Sequence, residues 1–127
     1  MKTQDKLYNQ HNENKEWTSK LKFYKEELEI LKKRLAEIAA RNNQSDVLKE
    51  VEHFQNQFIV QRNNIDEIAH AVNLNEEALI DEVKKNPVAV DRRKVNDHAH
   101  ERDLVESLEK SLNDIRSEFN RFAAKWL

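Results

Sequence analysis

Large apolar side chains recur along this chain at alternating spacings of three and four, which gathers them on one stripe of an α-helix. The first run is Trp17, Leu21, Tyr24, Leu28, Leu31, Leu35 and Ile38. The second is Val47, Val51, Phe54, Phe58, Gln61, Ile65, Ile68 and Val72, with one polar member. The third is Val105, Leu108, Leu112, Ile115, Phe119, Phe122 and Trp126. No segment alternates with period two over the length of a strand. The pattern predicts an all-α fold, an antiparallel up-down-up three-helix bundle with long coiled-coil-like helices.

Breakers between the stripes set the boundaries. Asn42-Asn43-Gln44 interrupts the first stripe, and Ser45 followed by Asp46 reads as an N-cap with an acid in the first turn. Asn86-Pro87 ends the second, since proline disfavours a helical residue before it and has no N–H to donate. Asp91 is the candidate cap of the third. Helices over about 5–42, 46–85 and 90–127 follow, each roughly 55–60 Å long at 1.5 Å per residue. Near-equal lengths and short connections give one bundle domain spanning residues 1–127. Asn73-Leu74-Asn75-Glu76 carries a capping signature inside the second helix. The stripe keeps its phase from Val72 to Leu79, so a continuous or gently bent helix is expected there.

Reversals near residues 44 and 87 fix the antiparallel register and stack the stripes in layers. From the first turn outward these are Ile38/Val51/Phe122, Leu35/Phe54/Phe119, Leu31/Phe58/Ile115, Leu28/Gln61/Leu112, Tyr24/Ile65/Leu108 and Leu21/Ile68/Val105. Trp17/Val72/Glu101 comes next, with Trp17 and Trp126 expected to close the core at opposite ends. Beyond it stands a layer without any apolar side chain, Asn14/Asn75/His98, and then Gln10 with Leu79. Three polar residues placed at one level by independent stripes must bond to one another, to water or to a ligand, because buried polar groups without partners cost about 1–3 kcal/mol each. Such a layer sets register in coiled coils; the alternative is a small-ligand site on Asn14, Asn75 and His98.

Composition narrows the chemistry. Charged residues make up 36% of the chain, glycine is absent, Pro87 is the single proline, and there is no cysteine. Thiolate metal sites, disulfides, cysteine nucleophiles and glycine-rich phosphate loops are thereby excluded. The serines lack a glycine elbow and a histidine partner in their layers, so no hydrolase triad is expected. Two Glu-x-x-His pairs, Glu50/His53 and Glu67/His70, have the spacing of bundle di-metal sites. Both lie on the second helix, several turns apart, and cannot share an ion. His11, His98 and His100 fall at the polar end with Glu76, Glu77, Asp97 and Glu101, which leaves a metal-binding bundle as the second form of the ligand alternative. No cofactor and no catalytic residue are expected.

Charge disfavours two partner classes. The net charge is −2, from 22 basic and 24 acidic residues. The basic patches are Lys32-Lys33-Arg34 with Arg41, and Arg92-Arg93-Lys94; the acidic second helix works against a continuous basic face, so no nucleic-acid surface is expected. No apolar run reaches the ~20 residues that cross a bilayer, and no helix pairs a cationic face with a strongly apolar one. With no targeting pattern, the expected compartment is the cytoplasm. Apolar residues left outside the layers are Phe23, Ile30, Leu48, Ile59, Val60, Leu74, Ile80 and Leu104, several of them expected as core flanks. Phe23, Ile30 and Ile59 are the candidate contacts for a protein partner or a homodimer. The expected function is a non-catalytic interaction or scaffold module.

Overall fold

Between residues 3 and 41 nothing interrupts helix formation: there is no glycine or proline, and most positions carry Leu, Lys, Glu or Ala. The computed structural model describes residues 3–85 and 92–127, with the side chains of 7–82, 84 and 98–127. Helix α1 runs Thr3–Arg41, α2 runs Ser45–Lys85 and α3 runs Arg92–Trp126, and the three pack against one another as an all-α bundle. No strand occurs among the described residues. The reversal at Asn86-Pro87 and the proposed Asp91 cap lie outside them.

The first reversal is built differently from the expectation in one detail. Leu48 N–H donates to the Gln44 carbonyl at 3.1 Å, so the cap position is Gln44 and Ser45 is already helical. At the end of α1, Asn42 Nδ2 donates to the Ile38 carbonyl at 2.8 Å and to the Trp126 carbonyl at 3.1 Å. One side chain thus serves the unpaired carbonyls of two helix ends. Helix α2 passes without a break through Asn73–Glu76, as the unbroken phase of its stripe requires.

By its internal packing the chain divides into two units. One comprises residues 23–65 and 108–127. Its core is aromatic: Phe119 sits 5.5 Å from Phe54 and 5.6 Å from Phe58, centroid to centroid, and Phe54 meets Phe122 at 5.1 Å. The Phe119 contacts are edge-on, the arrangement that aligns a ring's positive edge with its neighbour's face. Leu28, Leu31, Leu35, Ile38, Ile65, Leu108, Leu112 and Ile115 are buried around them, together with Val47. Gln61 is half-buried among these, its amide oxygen out of solvent and without a partner. Arg116 clamps Glu27 across α3 and α1 through Nε at 2.9 Å and through Nη2, and Arg62 reaches Glu29 at 3.1 Å.

The other unit comprises the described residues of 1–22 and 66–107. Leu21, Ile68, Val105, Trp17 and Val72 are buried, and so are the polar residues Gln10, Asn14, Asn75, His98 and Glu101. Leu7 and Leu79 are buried further along. The stripe predicted from the sequence begins at Trp17 and does not include Leu7. Trp17 therefore does not close the core. Buried residues continue on its far side, and its ring lies inside the unit. Trp126 is half-buried, with Lys125 Nζ 5.2 Å from its ring centroid.

The expectation that several spare apolar residues flank the core is corrected by their exposure. Phe23, Ile30, Leu48, Ile59, Val60, Leu74 and Ile80 are all 40% exposed or more, and Leu104 alone is half-buried. Three helices meeting on narrow stripes leave the outward positions uncovered, as in a coiled-coil seam rather than a broad globular face.

Candidate functional site

The heptad phase that buries Trp17 and Leu21 on α1 brings Asn14 to the same stripe one turn earlier, as Asn75 follows Val72 on α2 and His98 precedes Glu101 on α3. The structure brings the three together. Asn14 Nδ2 donates to Asn75 Oδ1 at 3.0 Å, and His98 Nδ1 lies 3.2 Å from that same oxygen. Asn14 is 2% exposed and His98 1%. The imidazole stacks on Trp17, with ring centroids 4.7 Å apart and planes tilted by 29°.

Charged residues bracket this layer. Asn14 Nδ2 also donates to Glu76 Oε2 at 2.8 Å, while the other Glu76 oxygen meets His11 Nδ1. On the opposite side, His98 Nε2 lies 3.2 Å from Glu13 Oε1. Arg102 grips Glu13 with both ends of its fork, Nε to Oε2 at 3.0 Å and Nη2 to Oε1 at 2.7 Å. Such a bidentate pair is among the stronger charge-assisted contacts. The amide oxygen of Asn14 is buried without a partner, as is that of Gln10.

Burial dominates the protonation of His98 and pushes its pKa below the ordinary histidine value; the Glu13 carboxylate opposes this without reversing it. For Glu13 burial acts to raise the pKa, but the Arg102 guanidinium, together with the nearby His98 ring, outweighs it and holds the carboxyl below its usual range. The favoured state is a neutral ring beside an ionised, arginine-bound carboxylate.

Glu13 and Arg102 were not singled out from the sequence. Glu13 precedes Asn14 and so lies off the apolar stripe, but Arg102 stands four residues after His98, one turn along the same face. That spacing, with an acid beside the polar layer, was the available signal. His11 and Glu76 do join the cluster, Glu77 and His100 are exposed outside it, and the Asp97 side chain lies outside the described residues. No group of three His, Asp or Glu among the described residues is arranged to hold a metal ion. His53 and His70 are exposed.

Two clefts lie between α1 and α2, one in each unit. Beside the polar layer a cleft of about 430 Å³ is lined by His11, Asn14, Lys15, Thr18, Ser19, Asn73 and Glu76. In the other unit a smaller one of about 100 Å³ is walled by Leu28, Phe58 and Ile59, with Glu29, Lys32, Gln55 and Arg62 at its edge. Ile59 thus sits at a groove. Phe23 and Ile30 do not line it; they occupy exposed positions one heptad apart on α1, with the Phe23 ring edge-on to Tyr24 at 5.9 Å. No helix among the described residues is long and apolar enough to cross a membrane. Compared with known proteins, the chain matches no family model, no curated protein and no solved structure.

Proposed function

We propose that this chain is a cytoplasmic, non-catalytic interaction module that binds a protein partner or a second copy of itself through helix faces left apolar outside the core. The observation that carries this reading is the exposure of Phe23 at 58%, Ile30 at 53% and Ile59 at 52%, in a unit whose core is already filled by phenylalanine and leucine. Exposed apolar residues one heptad apart on a helix, as Phe23 and Ile30 are, and an exposed apolar residue at a groove, as Ile59 is, are where helix–helix contacts form. Light scattering over a concentration series tests the self-associating form. The expected result is a mass that rises toward the dimer at high micromolar concentration and stays monomeric in Phe23→Glu/Ile30→Glu. A monomer at every concentration removes the dimer.

A second reading places a small polar ligand at Asn14, Asn75 and His98, with the wide cleft beside Asn14 in its favour. It has to compete with the bonds these side chains already make to one another. His98→Leu separates the two roles: a structural layer tolerates the change with little loss of stability, whereas a ligand site loses its ligand. Ligand-observed NMR with a polar fragment mixture reads the second outcome directly.

A further inference from the structure

Five side chains form one continuous row: Glu76 on α2, Asn14 on α1, Asn75 on α2, His98 on α3 and Glu13 on α1. The row begins and ends on a carboxylate, which only accepts hydrogen bonds when ionised. Starting from Glu76, the direction of each bond is forced. Asn14 must turn its NH2 toward Glu76, and the same nitrogen then donates to Asn75. Asn75 must present its oxygen, and that oxygen also faces His98, so Nδ1 must carry a proton. A neutral imidazole has no second proton, and Nε2 meets Glu13 as a bare lone pair. Reversing both amides only moves the fault to the other end, where the Asn14 oxygen would face the Glu76 oxygen. The cost already visible is that Asn14 commits its nitrogen twice and leaves its own oxygen buried and unpartnered.

We propose that the polar layer is a one-way hydrogen-bond relay in which Glu76, which His98 does not touch, holds the neutral His98 ring with its proton on Nδ1, so that the His98–Glu13 contact between α3 and α1 becomes a hydrogen bond only when the ring takes up a second proton. The groups that act on the ring are Glu13 and the stacked Trp17 from α1, Asn75 and Glu76 from α2, and Arg102 on α3 itself, where Glu101 is also buried three residues along. Arg102 keeps Glu13 satisfied while Nε2 is bare, which lets the neutral state persist. Burial opposes the charged ring, so the neutral form is the resting one and the relay selects its tautomer.

Nitrogen-15 NMR of the histidine rings of the full chain tests this. At neutral pH the His98 Nδ1 signal is expected in the protonated range and Nε2 in the lone-pair range, with Nε2 moving to the protonated range on acidification. Glu76→Met frees the two amides to reverse, and His98 is expected to switch to Nε2–H, donating to Glu13. Asn75→Asp supplies an acceptor-only group by itself: alone or combined with Glu76→Met, it restores Nδ1–H and moves the second protonation to higher pH. A wild-type ring with its neutral proton on Nε2 overturns the proposal. So does a Glu76→Met protein whose neutral ring keeps Nδ1–H, or an Asn75→Asp protein whose neutral ring carries its proton on Nε2.

Discussion

At His98, burial and ion pairing act in opposite directions, and burial prevails, with consequences for stability as the solution is acidified. A histidine whose folded pKa lies below its unfolded value near 6.5 contributes fully at higher pH and loses that contribution as pH falls below 6.5 toward the folded value. Glu13, held below its ordinary 4.5, contributes above that value and loses its part as pH falls through its own folded value. Both signs agree, so urea midpoints are expected to fall on acidification in two steps. His98→Leu removes the upper step and Glu13→Gln the lower; a midpoint flat from pH 7 to 5 in the wild type contradicts the assignment. Asn14 is a separate case. Its NH2 serves two acceptors, and Asn14→Leu removes one donor from each, leaving Asn75 Oδ1 to His98 and Glu76 to His11, at a cost of about 1–3 kcal/mol in urea unfolding. The layer itself was legible in the sequence, because three stripes with a common phase place Asn14, Asn75 and His98 at one level. Its bracketing by Glu13 and Arg102 was not, because an off-stripe residue is directed by side-chain reach and not by periodicity.

Each helix joins a strong stripe to ends that need separate help. In α1 and α3 that help is Asn42, whose amide bonds carbonyls at both C-terminal ends. Asn42→Ala is expected to lower stability by about 1 kcal/mol, within the range of one intramolecular hydrogen bond, and to increase amide exchange in the last turns of both helices. Phe119 on α3 is fully buried against Phe54 and Phe58 of α2. Phe119→Ala removes that ring from a closed aromatic cluster and is expected to cost about 3–5 kcal/mol, measured by the same unfolding curves. Sequence periodicity anticipated this pairing, since Phe54 and Phe119 share a predicted layer. The continuity of α2 through Asn73–Glu76 has the same origin. A capping signature gives the backbone a local alternative, but Val72, Asn75 and Leu79 are all buried on one face, and unwinding the turn would forfeit that burial.

Across the whole molecule, apolar and polar residues are spent in contrasting ways by the two units: one has a phenylalanine core with apolar residues to spare outside, the other a core interrupted by bonded polar groups. A polar layer costs stability and fixes register. Replacing Asn14, Asn75 and His98 by leucine together is therefore expected to raise the urea midpoint, in contrast to Asn14→Leu alone, while broadening the NMR lines of the unit that holds them as alternative registers become accessible. A triple variant less stable than the single one would contradict this account. The chain's own pattern determined the helix count, the boundaries of the described helices within a residue or two, the up-down-up order and the meeting of Phe54 with Phe119 and of Asn14 with Asn75 and His98, because burial on a helix is a periodic property and a turn constrains what faces what. Only the tertiary structure decided that Trp17 stacks on His98, that Leu7 extends the core, and that Phe23, Ile30 and Ile59 stay in solvent. Those outcomes depend on how far each side chain reaches and how wide a seam three helices close, quantities that spacing along a chain does not encode.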